Sequence, residues 1–340
     1  MTGGEPSDGL DRDSTLKLLA AFAVAMSVVY LLGAYLGWEE TLETLGRAHP
    51  GLVGLACLST LGCLAVWAAT WGYALDAVDV EVGYSNLLVT FYAASFVNYV
   101  TPMGQAGGEP FVAYVLSRDT EASYEESLAS VLTADVLRLL PFFTAAAIGL
   151  AYLVVRVGLP DEIQNAAVVL VALAVAMPVA LVVAWRRRRS IELRLVRLAR
   201  KAESALGVVD SDDVARRLDE LNESFERIAS SPVVLAVALA LGYLGWILFA
   251  LPLYFSAEAL GLHVPLLVVA FAVPLTVVTS FTPLPGGLGA IEGTLVVVLP
   301  LTTALSAQEA FAVTALYRLT SYWIVVVVGG VAAAYVVYRA

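Results

Sequence analysis

The chain has 340 residues, 60% of them hydrophobic and 14% charged, with a formal net charge of −11. A soluble globule of this length cannot bury so much apolar surface, so lipid is the solvent for much of the chain. The acidic balance is no nucleic-acid signature. Lysine occurs only at Lys17 and Lys201, against seventeen arginines, and such acid-rich, lysine-poor loops resemble those of proteins adapted to high salt.

In chain order, residues 1–14 form a polar acidic tail without the basic n-region of a cleaved signal peptide. Apolar spans are predicted at about 15–37, 51–75, 127–156, 163–185, 232–256 and 307–338, each long enough to cross ~30 Å of hydrocarbon as helix. Cys57 and Cys63 share one of these spans at a spacing that puts them on different helical faces, so no disulfide framework is expected. His49 and His263 lie near predicted loop edges and argue against a histidine-ligated metal; no cofactor is expected.

Segments 84–117 and 264–300 are interrupted midway by Pro and Gly, so they are either single broken helices or re-entrant hairpins. Loop 186–231 holds eleven of the nineteen Lys and Arg residues and is expected in the cytoplasm. Two re-entrant hairpins would bring both termini and Arg118 to that side too, whereas two full spans would place the amino terminus outside. The hairpins would then enter from opposite sides, making the halves 51–156 and 232–338 an inverted repeat; a parallel repeat stays open. The linker reads as amphipathic helix, with Ile191, Leu195 and Leu198 and then Val214, Leu218, Leu221 and Phe225 at helical spacing. It is a connector on the membrane surface or, at Arg186–Arg189, an anionic-lipid site.

The two interruptions resemble each other. Thr101-Pro102-Met103-Gly104-Gln105-Ala106-Gly107-Gly108-Glu109 and Thr282-Pro283-Leu284-Pro285-Gly286-Gly287-Leu288-Gly289-Ala290-Ile291-Glu292 each break an apolar run and deliver a carboxylate. A carboxylate at membrane depth is a functional candidate, so Glu109 and Glu292 would couple substrate, protons or ions, or else cap the following half-helix. Gly107, Gly108, Gly286 and Gly287 would let backbone N–H groups face a phosphate, or permit close helix packing. Arg138 and Arg318 each lie about a dozen residues into a predicted span, near mid-depth, where a guanidinium needs a partner or a cavity. Asp135 shares a helical face with Arg138 and can neutralise it. Arg318 has Thr314 and Ala315 at the same offsets, so it needs a tertiary partner or a ligand, and Glu109 or Glu292 would serve. Tyr99, Tyr114, Tyr317, Tyr322 and Trp323 surround these positions as packing groups, interface anchors or a lipid-path lining.

Taken in order, Thr101-Pro102…Gly107-Gly108-Glu109-Pro110, Arg138, Pro285-Gly286-Gly287-Leu288-Gly289…Glu292-Gly293 and Tyr317-Arg318 resemble the lysylphosphatidylglycerol synthase transmembrane-region family. This flippase-like membrane domain also occurs in haloarchaeal glycosylation proteins. The resemblance covers the chain from about residue 15 and implies one flippase-like membrane domain over 15–340. It implies an all-α integral membrane protein of about six transmembrane helices plus two Pro/Gly-broken hairpins. It also implies a cell-membrane lipid translocator, rather than an enzyme, acting on a phospholipid or polyprenyl-phosphate carrier. The repeated breaks and the arginines near mid-depth give the expected substrate residues as Gly107, Gly108, Glu109, Arg138, Gly286, Gly287, Glu292 and Arg318, with Asp135, Pro102, Pro283, Pro285 and Tyr317 in support. Proton or ion coupling, and a glycosyltransferase or lipid-synthesis partner, are further expectations. The alternatives are a membrane-embedded lipid transferase and a non-transporting partner of a glycosyltransferase.

Overall fold

The computed structural model describes residues 12–101, 108–119, 123–157, 186–206 and 210–339, together with 168, 172, 176, 179, 180 and 183. Among these residues every regular element is a helix, and the protein is an all-helical membrane protein. The helices are α1 (Arg12–Leu36), α2 (Trp38–Gly46), α3 (Pro50–Asp76), α4 (Tyr84–Val100), α5 (Gly108–Asp119), α6 (Tyr124–Tyr152), α7 (Arg188–Leu206) and α8 (Ser211–Ala229). They continue as α9 (Pro232–Ala259), α10 (Leu266–Thr279), α11 (Ala290–Thr302), α12 (Ala307–Arg318) and α13 (Ile324–Arg339). π turns at Leu153–Val157 and Leu319–Trp323 extend α6 and join α12 to α13.

Five helices are long and apolar enough to cross a membrane, and the count among the described residues reaches six if the bent pair α1–α2 is one span. The spans expected at 51–75, 127–156, 232–256 and 307–338 are among them, whereas that at 163–185 lies largely outside the described residues. The expected span 15–37 differs: α1 already begins at Arg12, and the chain turns by 92° at Gly37 into α2. Gly37 takes φ +102°, and α2 is short and polar, so apolar counting gives no sign of it. Residues Pro285–Thr302 also meet the length and composition test for a span. They nonetheless begin beside Arg318, partway along the continuous Ala307–Arg339 helix.

Local chemistry fixes the helix starts. Ser123 and Glu126 form a capping box at α6, and Ser306 and Glu309 form another at α12. Pro50 and Pro232 open α3 and α9, where a missing N–H costs nothing. Asp210 caps α8 by accepting hydrogen bonds from the N–H groups of Asp212 and Asp213.

Three helix pairings organise the membrane part. α3 and α9 run antiparallel over much of their length. The His49 N–H donates to the Ala259 carbonyl at 2.8 Å, Ser59 Oγ donates to the Leu248 carbonyl at 2.7 Å, and Trp67 packs on Trp246 and Phe249. α4 runs antiparallel to α13, from the Tyr99–Tyr322 ring stack at 5.6 Å to Arg339 Nη1, which donates to Asn86 Oδ1 at 3.3 Å. α6 packs against α10, where Gly149 meets Phe271. One apolar core gathers Phe271, Leu253, Leu295 and Val273, and another gathers Leu75, Leu87, Leu116 and Ile228.

The 186–231 linker forms the two helices α7 and α8. α8 is clamped to the start of α6. Arg217 Nη1 donates to Glu125 Oε1 at 2.7 Å, Arg227 Nη2 donates to Glu126 Oε1 at 2.8 Å, and Ile228 is fully buried. Hydrogen bonds from Arg217 and Arg216 hold the Asp213 carboxyl below the usual carboxylate range. α7 leaves Ile191, Leu193, Leu195 and Leu198 exposed.

Gly149 and Gly329 set the distance between paired helices. A Cβ at Gly329 would lie 2.5 Å from the Tyr92 carbonyl oxygen, and one at Gly149 would overlap the Phe271 backbone. Backbone cannot swing aside as a side chain can, so Gly149→Ala or Gly329→Ala should cost about 1–3 kcal/mol. Gly54→Ala, with nothing within 4 Å of the added Cβ, should be neutral or slightly stabilising. Thermal unfolding of the three detergent-solubilised variants tests this; equal midpoints would refute the close-approach account.

Candidate functional site

The interruption between α10 and α11 is built from glycines because its backbone needs them. Gly286, Gly287 and Gly289 have φ of 55°, 63° and 85°, the left-handed region that side-chain-bearing residues avoid. A Cβ on Gly286 would also overlap the Tyr322 ring. Pro285 is buried and opens a short 3₁₀ turn, while Pro283 is exposed. The Gly287 N–H donates to the Leu284 carbonyl at 3.2 Å, so the turn uses that donor itself.

Glu292 stands in the first turn of α11 and is 3% exposed. Its Oε2 accepts from the Gly289 N–H at 2.6 Å, which caps the helix. Its Oε1 accepts from Arg318 Nε at 2.8 Å. One carboxylate therefore caps the broken helix and neutralises the arginine. Arg318 is 7% exposed, and its Nη2 donates to the Gly286 carbonyl at 2.9 Å. Its guanidinium carbon lies 4.4 Å from the centre of the Tyr322 ring. Among the described residues its Nη1 has no hydrogen-bond partner. Tyr322 stacks on Tyr99 and donates its hydroxyl to the Tyr99 carbonyl at 3.3 Å, tying the arginine to the end of α4.

Arg318 ends α12, twelve residues into the 33-residue helix Ala307–Arg339, about 18 Å from its start. A helix of that length, about 50 Å, is longer than the ~30 Å hydrocarbon layer, and a layer centred on it would hold Arg318 and the break beside it. A cavity of about 150 Å³ opens there, lined by Asn98, Tyr99, Thr282, Gly286, Tyr317 and Arg318 among others. Among the described residues, Asn98 Oδ1 and Thr282 Oγ1 are buried without a hydrogen-bond partner. Buried polar atoms left unpaired cost about 1–3 kcal/mol each, so both would gain from a polar partner. Neither residue stands out in the sequence. The available sign is a polar side chain next to each interruption, Asn98 shortly before Thr101-Pro102 and Thr282 before Pro283.

Arg138 is set differently. It pairs with Asp135 one turn earlier, which also accepts from Trp71 Nε1 at 3.2 Å. Its guanidinium carbon lies 4.8 Å from the centre of the Trp67 ring and 5.9 Å from that of Phe91. Trp246 Nε1 donates to its carbonyl at 2.8 Å. Arg138 does not line the Arg318 cavity. Trp67 packs on Phe249 at 5.5 Å, and Phe249 lines the cavity, so an aromatic partition separates the two arginines. In the first interruption, Pro102 and Gly107 lie outside the described residues. Gly108 and Glu109 open α5, and the Glu109 side chain is likewise outside what is described. Among the described residues no group of three His, Cys, Asp or Glu could hold a metal.

Residues 18–329 match the family described as the lysylphosphatidylglycerol synthase transmembrane region. A UPF0104 membrane protein of Methanothermobacter thermautotrophicus is 28% identical over 330 residues, covering 94% of this chain and 96% of its own length. A UPF0104 membrane protein of Pyrococcus horikoshii is 24% identical over 325 residues, covering 93% and 96%. Both relatives are archaeal membrane proteins matched over nearly their whole length. A broken helix capped by a glutamate and locked to a buried arginine thus sits in a chain that belongs to the lysylphosphatidylglycerol synthase transmembrane region family.

Proposed function

We propose that this protein moves a phosphate-bearing lipid, a phospholipid or a polyprenyl-phosphate carrier, between membrane leaflets. The observation that carries the reading is the cavity beside the broken helix. It combines a buried arginine that has donor capacity to spare with two unpaired polar atoms, in a wall that is largely apolar. Such a site suits a head-group phosphate on Arg318, with Asn98 and Thr282 bonding its neighbouring polar groups. Arg138, Asp135, Glu109 and the Gly107-Gly108 pair belong to the second half-site of the same reading.

The two halves act as an inverted repeat in this proposal. The antiparallel run of α3 and α9, the opening helices of the two halves, supports it, because equivalent helices of a parallel repeat would point the same way. α4 packs on α13 of the other half, and its counterpart α10 packs on α6. Gly149 follows Arg138 by eleven residues, and Gly329 follows Arg318 by the same number; each glycine makes the close approach to the opposite half. α4–α5 and α10–α11 are then re-entrant hairpins entering from opposite sides. The arginine-rich linker, Arg118 and Arg339 fall at one end of the bundle, which the positive-inside rule assigns to the cytoplasm. The acid surplus fits an archaeal member working at high salt. Glu292 has both oxygens engaged, which supports charge balance over general-base chemistry and favours transport over a transferase.

Liposomes containing the purified protein should move labelled phospholipid or polyprenyl phosphate across the bilayer; no movement under any ion gradient would overturn the proposal. The charge pair gives a sharper test. Glu292→Ala or Arg318→Ala alone leaves a buried charge unpaired and should cost about 3–5 kcal/mol of stability. The double change Glu292→Leu with Arg318→Met should recover most of that loss, yet transport should stay down by about tenfold or more. Wild-type transport by a well-folded double variant would remove Arg318 from the mechanism.

A further inference from the structure

A second polar cavity lies at the other end of the α4–α13 pair. It has a volume of about 180 Å³ and is lined by Asn86, Thr90, Tyr114, Arg118, Tyr335 and Arg339 together with apolar neighbours. Arg339 is twenty-one residues beyond Arg318 on the same continuous helix, so the two sites are about 30 Å apart along it. With Arg318 inside a hydrocarbon layer of ~30 Å, that separation carries this cavity out of the layer to the level of the head groups. Arg118 and Asn86 belong to the same end as the clamp between α8 and α6, because α5 leads directly to the start of α6.

Three features turn the cavity into a site. Arg118 and Arg339 come from the last turns of two different helices, α5 and α13, and meet in one concavity. Each arginine offsets the carbonyl end of its own helix, but that local role does not require them to share a cavity. Asn86 Oδ1 accepts from Arg339 Nη1 at 3.3 Å and so steadies one of the two guanidinium groups. Thr90 is 5% exposed and lines the same cavity, yet its hydroxyl makes no hydrogen bond among the described residues. Other threonines buried in these helices, such as Thr70, Thr314 and Thr320, return their hydroxyl to a carbonyl one turn back. Tyr114 and Tyr335, 58% and 53% exposed, flank the mouth. Rings with apolar bodies and polar tips favour the head-group boundary of a membrane.

We propose that this cavity is an interfacial phosphate site, distinct from the Arg318 site, which holds the phosphodiester of an anionic lipid from the adjoining leaflet. Arg118 and Arg339 grip the phosphate oxygens, the Thr90 hydroxyl donates from the floor, and the two tyrosines lie along the upper acyl or glycerol region.

The test is native mass spectrometry of the full-length protein released from phosphatidylcholine nanodiscs doped with phosphatidylglycerol. Wild type should retain phosphatidylglycerol in preference to phosphatidylcholine. Arg118→Gln with Arg339→Gln should retain about tenfold less, and Thr90→Val should show a smaller loss in the same direction. Arg339→Gln alone changes only the end of α13 and keeps the test open should the double variant misfold. The charge-neutral Glu292→Leu with Arg318→Met variant should keep its preference for phosphatidylglycerol over phosphatidylcholine, which separates the two sites. Retention by the Arg118 and Arg339 variants equal to wild type would overturn the proposal. Binding of inorganic phosphate without any lipid preference would overturn the lipid assignment and make this a site for a soluble anion.

Discussion

The Arg318–Glu292 pair is the constraint on which the carboxy-terminal part of the molecule depends. A charge in hydrocarbon costs several kcal/mol unless it is paired and hydrogen-bonded, so the carboxylate must be delivered to the arginine's depth. A continuous helix packed alongside could bring a side chain there but could not offer a free carbonyl as well. The interruption at Pro285–Gly287 supplies both: Glu292 from the first turn of α11 and the Gly286 carbonyl from the turn. The consequence is a row of left-handed residues, which only glycine meets without strain. The same interruption leaves α10 and α11 at fourteen and thirteen residues on its two sides. The π turn directly after Arg318 belongs to the same assembly, since it carries Tyr322 beneath the guanidinium and against Tyr99. π turns are rare and concentrate where a helix serves a function.

The two arginines solve one electrostatic problem in different ways. Arg138 is neutralised inside its own helix by Asp135 and enclosed by aromatic rings. Any movement of α6 carries both charges together and leaves the pair intact. Arg318 is neutralised across elements, so sliding α12 past the interruption would break two buried hydrogen bonds at once. An incoming phosphate is the kind of group that can replace a carboxylate and a carbonyl around a guanidinium without exposing it. In the proposed transport cycle the second arrangement would therefore respond to substrate, while the first would move as a unit.

Much of this was legible in the sequence because it rests on residue types with few uses in a membrane. Pro283, Pro285 and the glycines marked the break, and the absence of an acid one turn before Arg318 pointed to a tertiary partner, which is Glu292. Asp135 at the same helical face as Arg138 marked the local pair. What escaped depended on three-dimensional placement. Asn98 and Thr282 are ordinary polar residues until α4 and the break enclose a cavity around them. α2 escaped because a nine-residue polar helix leaves no apolar run, and the chain bends by 92° at Gly37, where φ is +102°. The Trp67–Phe249 partition could not be seen either, because it joins side chains far apart in the chain, on α3 and α9.

That partition bears on how a lipid could pass. The α3–α9 pair is bonded or packed from His49–Ala259 through Ser59–Leu248 to Trp67–Trp246, so it makes a stiff central unit. By contrast, the surroundings of Arg318 are joined to α4 chiefly by a ring stack and one long hydrogen bond of 3.3 Å. Stacked rings can slide at small cost, whereas interlocked tryptophans on a close helix pair cannot. The α4–α13 pair is closely packed at Gly329 against Tyr92 and Phe96, with the ring stack at one end, and it runs from the Arg318 cavity to the basic cavity at the helix ends. A lipid whose phosphate travelled between the two arginine-lined sites would need a lateral opening for its chains, and at the Arg318 end the contact with α4 that has to give is the Tyr99–Tyr322 stack.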